Sequence, residues 1–382
     1  MKRVFIFSTV IFLLAGALFL SYNFIFKNND EIISSENNTK NIREKEKKKK
    51  AINPMETIGK IEQIIDTEIA FPSVGDNKKN IRYYNIQEKS FWEASFDGSY
   101  KKKIINEEFS DLKDIIWSPD KKQMIVKNGN NFYSYEYGKE LKKIKDNIVF
   151  LDWSNLGNKI IYIYIDPVTK NKTLNIANLD GSEWKKIAKL NKDKIIISTV
   201  PQSSLISFWN NPNAFKETTM KTVSLTGGDI VELVKNKFGA NYLWSPDGEK
   251  FLVSSVLKKG GHNIILELGG IENADKNKLM DLKFPTLISK CVWSKSDTKI
   301  IYCALPSGIP NDAIIPNDYQ NKKFFTKDSF WKINIKNGKK ERLVGLEDIT
   351  EKIDATNLIL SPSEDMLFFI NRINNNLYRI VL

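Results

Sequence analysis

WSPDGEKFLV, running from Trp244 to Val253, sets a large apolar residue, a tight turn and an apolar run in succession. Ser245-Pro246-Asp247-Gly248 suits a type I turn position by position. Serine can bond the turn backbone, proline pre-sets φ at the second place, and glycine releases the chain at the fourth. Phe251, Leu252 and Val253 then read as a buried strand. The stretch predicts a strand, a turn and a second strand.

Weaker copies recur along the chain. WSPDKKQMIV starts at Trp117, WSNLGNKIIYIYI at Trp153, WSKSDTKIIYCAL at Trp293 and LSPSEDMLFFI at Leu360, with degraded forms from Ser73 and Ser198. Starts at 73, 117, 153, 198, 244, 293 and 360 are spaced by 44, 36, 45, 46, 49 and 67 residues. A period of roughly 40–50 residues built from strands and turns is the sequence form of a β-propeller blade. The expectation is an all-β chain of seven four-stranded blades, or six if the Ser73 copy is no true blade.

WSPD at Trp117 and WSPDG at Trp244 resemble the Pro-Asp repeat of TolB-type, WD40-like propellers, a repeat also found in the propellers of prolyl oligopeptidases. The resemblance covers roughly residues 55–382 and implies a propeller used as a protein-binding platform. TolB proteins carry an α/β domain before the propeller, for which this chain has no room.

The 382 residues are 41% hydrophobic, enough for one large all-β domain with an extension. Net charge is +12, from 58 Lys and Arg against 46 Asp and Glu. A solvated lysine coat accounts for it. No basic stripe interleaved with aromatics is present, so nucleic acid is not an expected partner.

Residues 4–26, VFIFSTVIFLLAGALFLSYNFIF, follow Lys2 and Arg3 and are long enough to cross a hydrocarbon core of ~30 Å. Ala15-Gly16-Ala17 fits a signal-peptide cleavage site, but the run stays apolar beyond it. The expected organisation is a transmembrane signal anchor over 1–26, a charged tether over 27–50 and the propeller over 51–382. Lys2 and Arg3 place the propeller outside the cytoplasmic membrane, although REKEKKKK at 43–50 argues for the reverse.

Phasing of the repeats makes the Trp153 unit continue through strands at Ile160–Ile165, Thr173–Asn178 and Trp184–Ala188. The Trp244 unit continues through Phe251–Val256, Ile264–Leu268 and Leu279–Leu282. The last unit ends at Leu382 one strand short, and Ile58–Ile65 can supply the missing strand and close the ring.

Catalytic signals are sparse. His262 is the single histidine, set in a turn without metal-ligand spacing, so neither metal nor cofactor is expected. No G-x-S-x-G elbow occurs, and Arg82, Arg342, Arg372 and Arg379 fall in distant repeats. Asp97, Asp120, Asp180 and Asp247 sit at turns, where backbone capping explains them. On these grounds the chain is expected to be a membrane-tethered binding or scaffolding module of the cell envelope and not an enzyme. Carbohydrate or small-ligand binding in the central channel is the alternative, and a hydrolase a third reading.

Two further features stand out. Cys291 and Cys303 flank a turn on adjacent strands with matching facing, as either a disulfide or two buried thiols. Between second and third strands of the Trp293 unit, Ala304–Ser329 intervenes with three prolines and with Ile314, Ile315, Tyr319, Phe324 and Phe325. Long loops are often functional and aromatics anchor interfaces, so these residues form a candidate partner-binding loop, unless they merely cap the blade edge.

Overall fold

The computed structural model describes residues 59–105, 109–155, 157–190, 194–272 and 278–382. The apolar run 4–26 and the tether 27–50 lie outside them. Among the described residues no helix is long and apolar enough to cross a membrane.

Every sheet is antiparallel, and each of the seven sequence copies forms a turn of one design. The first turn residue donates its N–H across the turn, from Gly75, Ser118, Ser154, Val200, Ser245, Ser294 and Ser361, at 2.8–3.0 Å. In the two degraded copies the turn starts later than the sequence pattern suggests, at Gly75 and Val200. Serine acts as a hub: Ser245 Oγ bonds Asp247 Oδ1 and accepts from the Lys250 N–H, and Ser118 does the same with Asp120 and Gln123. Gly248 has φ +72°, and a Cβ there would overlap the Pro201 carbonyl of the neighbouring turn. The fourth place is therefore glycine for packing as well as for conformation.

The tryptophans do more than fill space. Indole N–H groups of Trp117, Trp153 and Trp293 donate to Phe71 O, Ile116 O and Leu243 O of the preceding unit, and that of Trp244 to Ser207 Oγ. Each ring thus fixes one sheet against the one before it and satisfies its own polar edge.

The strands form five four-stranded sheets and one of seven strands. The larger sheet arises because Val231–Trp244 is continuous and changes partner midway. Its first half pairs with Glu217–Ser224 and its second with Lys250–Val256, across a register shift between Phe238 and Asn241. Strands phased from the sequence come out within two residues, as Lys159–Ile165, Lys172–Asn178 and Lys185–Leu190 in the Trp153 unit.

Packing runs in a circle. Clusters of buried apolar residues join each sheet to its successor, and Ile65, Ile81, Phe368 and Leu377 join the last sheet to the first. Ile61–Ile65 pairs antiparallel with Asn376–Val381, bringing Glu62 opposite Arg379 and Ile65 opposite Leu377. Arg379 holds Glu62 through Nε and Nη2 at 2.9 and 2.7 Å and reaches Phe96 O of the adjoining sheet. Innermost strands touch their neighbours around a central axis, among them Ile69–Val74 with both Leu112–Trp117 and Ala355–Leu360.

The insertion is shorter than its sequence suggests. Ile300–Ser307 and Lys327–Asn334 pair as far as Ser307 with Lys327, which leaves residues 308–326 as the connection. Cys291 and Cys303 stand opposite each other in register and are joined by a disulfide, with Cα atoms 4.1 Å apart.

Candidate functional site at the channel mouth

The insertion folds onto the sheets instead of projecting from them. Ile315 and Tyr319 are buried against Ala214, Val256 and Ile264, with Ile314 and Phe324 packed at the margin. Its main chain is fastened by Ile315 N–H to Gly261 O, and the Asn317 side chain accepts from Ala214 N–H. His262 joins the same contact, its Nδ1 3.3 Å from Ala313 O. Phe325 is half-buried and lies 5.8 Å from the Arg372 guanidinium, measured at the ring centre. Ile314, Ile315, Tyr319 and Phe324 thus belong to one cluster.

Beneath Tyr319 lies a buried charge network that no sequence motif announced. Lys290 is fully buried and its ammonium donates to Asp328 Oδ2, Asp354 Oδ1, Thr326 Oγ1 and Ala355 O at 2.5–3.1 Å. Burial opposes the lysine charge, but Asp328, Tyr319 and Asp354 together hold its pKa above the usual lysine value. Tyr319 Oη donates to Asp354 Oδ1 at 2.6 Å, and Arg372 closes the other side through Asp354 Oδ2, 3.2 Å, and Tyr319 O, 2.8 Å. Its guanidinium stacks 3.8 Å from the centre of the Tyr319 ring. The network clamps the insertion to two sheets at the start of their inner strands.

Between that clamp and the channel opens a pocket of about 210 Å³, lined by Asn241, Ser254, Ser289, Tyr319, Gln320, Thr356 and Arg372 among others. Asn241 lies in the second half of Val231–Trp244, Ser289 in the 3-10 turn Ile288–Lys290 just before the inner strand Cys291–Trp293, and Thr356 near the start of Ala355–Leu360, with Tyr319 and Gln320 of the insertion beside them. Asn241 Oδ1 accepts from the Trp209 indole at 3.1 Å, which aims its amide nitrogen away from that ring. Amide, hydroxyl and aromatic groups around a small cavity suit a hydroxyl-bearing molecule.

Further along the axis stand Asp114 and Asp152, each bonding the next backbone N–H at 2.8 Å. Burial, with the charge of Asp114 as a smaller cause, pushes the Asp152 pKa up to about 7. A folded-state pKa above the unfolded carboxylate value means that stability is lost as pH rises from about 4 to about 7. Asp152→Asn keeps an acceptor for Trp153 N–H and removes the penalty. We expect it to gain about 2 kcal/mol at pH 8, and nothing near pH 4, in urea unfolding followed at both values.

The remaining expected site residues occupy structural places. Asp97, Asp120, Asp180 and Asp247 bond serine hydroxyls and backbone N–H groups of their own turns. Bonds from Ser95 and Ser99 hold Asp97 down to about 2. Arg82 is fixed by Asp76, Glu93 and Lys121 O. Among the described residues no group of three or more His, Cys, Asp or Glu side chains stands where it could hold one metal ion.

No family model and no curated protein matches the sequence. Solved structures do match. An oligogalacturonate lyase from Vibrio parahaemolyticus aligns with a TM-score of 0.62 and 10% identity over 84% of this chain and 92% of its own. An oligogalacturonate lyase in complex with manganese aligns at 0.60 and 13% identity, over 84% and 93%. The Cps50 (Swd1) β-propeller domain of Myceliophteria thermophila aligns at 0.53 and 8% identity, over 84% and 99%.

The fold is therefore a β-propeller, and solved structures of that fold include enzymes. That corrects the expectation that this is no enzyme: the lyase alignments overturn an exclusion that rested on missing motifs. Fold and chemistry are separable, and the absence of a nucleophile elbow or a histidine pair says little about a propeller site.

Proposed function

We propose that the chain is a seven-bladed propeller that binds a small carbohydrate in the pocket beside its insertion. Seven blades follow if Val231–Trp244 is counted as the outer strand of one blade and the inner strand of the next. The observation that carries the ligand is the pocket of about 210 Å³ beside Tyr319 and Gln320, lined by amide- and hydroxyl-bearing residues. Alignment with oligogalacturonate lyases at 0.60 and 0.62 adds oligogalacturonate as a ligand class to try. One of these lyases is a complex with manganese, whereas this pocket, among the described residues, is lined by no carboxylate or imidazole and carries the Arg372 cation, a set that does not fit such an ion.

Ile315 and Tyr319 of the insertion are buried against the propeller, which leaves Ile314, Phe324 and Phe325 as the partly exposed residues that a protein partner could reach. The apolar run at 4–26 supports a tether to the outer face of the cytoplasmic membrane, which would present the pocket to envelope sugars.

Binding of neutral sugars and of oligogalacturonate to the full chain, followed by calorimetry and by product release, tests the reading. Joint replacement of Asn241 and Gln320 by alanine is expected to weaken binding at least tenfold and to lower the melting temperature, because the buried Trp209 indole loses its acceptor, whereas Gln320→Ala alone weakens binding at an unchanged melting temperature. Failure of every sugar to bind, or full binding by the double variant, would overturn it.

A further inference from the structure

We propose that the opposite mouth of the channel, where the Ser-Pro-Asp turns converge, is a binding site for a small dianionic oxyanion of the phosphate type. The site is separate from the sugar pocket and does not depend on it. A cavity of about 290 Å³ opens there, lined by Lys78, Lys121 and Lys295 with Asp76, Asp120, Glu364 and Ser361. Its walls come from four turns that are neighbours around the ring.

The acidic residues of this cavity are already engaged. Asp76 Oδ1 accepts from Arg82 Nη2 at 2.5 Å and from Asn77 N–H at 2.9 Å. Asp120 Oδ1 accepts from Ser118 Oγ at 2.7 Å and Lys122 N–H at 3.1 Å. Glu364 crosses to the next turn and takes four bonds, from Ser294 Oγ, Ser296 Oγ and the N–H groups of Lys295 and Ser296, at 2.6–2.9 Å. Each carboxylate is thus committed to holding a turn.

The cations are not so engaged. Among the described residues, no ion pair reaches the ammonium of Lys78, Lys121 or Lys295. Lys121 occupies the fourth turn place, φ +63°, where the Trp244 copy has glycine, and its carbonyl is pinned by Arg82 Nη1 at 2.8 Å. Burial and then the charge of Lys295 bring the Lys121 pKa down to about 8, against the pull of Asp120 and Asp152. Lys295 is a like charge beside Lys121, and the nearby carboxylates are bonded to other donors, so an anion seated between the ammonium groups would relieve their repulsion.

Geometry selects the kind of anion. Flat carboxylates are held best by the guanidinium fork, and Arg82, the arginine beside this cavity, is already spent on Asp76, Glu93 and Lys121 O. Lysine ammonium groups are compact point charges and suit a compact, multiply charged oxyanion.

Calorimetry of the full chain in mild detergent, with inorganic phosphate and with glycerol phosphate at constant ionic strength, tests the site. Saturable binding of either supports it, and tighter binding of the ester would identify a phosphate monoester as the source. Lys121→Met and Lys295→Met are each expected to weaken binding about tenfold and together to abolish it, while Lys259→Met leaves it unchanged. Methionine keeps an apolar stem in place, so melting temperatures should hold. On the unaltered chain, affinity should fall at least fivefold from pH 7.5 to 9.5, as Lys121 loses its proton beside Lys78 and Lys295. Heats no larger than those of chloride, or binding indifferent to both the lysines and this pH range, would overturn the proposal.

Discussion

Lys290→Met is expected to destabilise the propeller by about 3–5 kcal/mol, the largest effect of any single substitution considered. Removing the ammonium strands Asp328 and Asp354 in a site where both are fully buried. Burial already pushes the Asp328 carboxyl above its usual pKa, with Lys290 as its compensating charge. Denaturant unfolding of the variant measures the loss. Adding Asp328→Asn to Lys290→Met should recover part of it, since one uncompensated charge then disappears. A loss below about 1 kcal/mol would show that the network is no clamp. The insertion should loosen as well, because Tyr319 Oη and Arg372 both hold it through Asp354.

Deleting the residues before Asp66 is the second large perturbation. It removes the strand Ile61–Ile65 and leaves Asn376–Val381 as an unpaired edge. Ile64 and Ile65 are buried at 7% and 0% exposure, so burial alone contributes about 3–6 kcal/mol for the two side chains. Arg379 also loses Glu62, its bidentate partner. We expect a fall in melting temperature of at least about 10 °C together with concentration-dependent aggregation through the open edge. Scanning calorimetry and light scattering read the two effects, and an unchanged melting temperature would show that closure is dispensable.

Much of this architecture was legible because turn chemistry is local. Ser245, Pro246, Asp247 and Gly248 each have a reason within a few residues, and the same reasons recur down to Ser361 and Asp365. The closing strand was legible from counting, since the last unit lacked a partner. Continuity of Val231–Trp244 was not, because the partner exchange near Gly239 leaves little trace in NKFGANYLW.

The Lys290 network was hidden for a different reason. In a chain with 58 Lys and Arg, one more lysine carries no information, and its partners lie 38 and 64 positions away. The available signal was its setting in LISKCVW, a charge inside an apolar run. For the insertion, composition gave the residues but not the direction in which they face. Tyr319 reads equally as an anchor for a partner or as a plug, and its packing against Ala214 and Ile264 follows from contacts that no local pattern announces.

Ring closure also sets a schedule for synthesis. Ile61 and its partner Ile380 stand at opposite ends of the ring's sequence, and the side chains of Glu62 and Arg379 meet across 317 positions. A ribosome delivers the first long before the second, so the nascent strand at Ile61–Ile65 waits for most of translation without its mate. Earlier sheets can fold as they emerge, each on the one before, but the circle shuts only after Val381 has cleared the exit tunnel. Every product that stops short keeps two raw edges, each open to pairing with another chain.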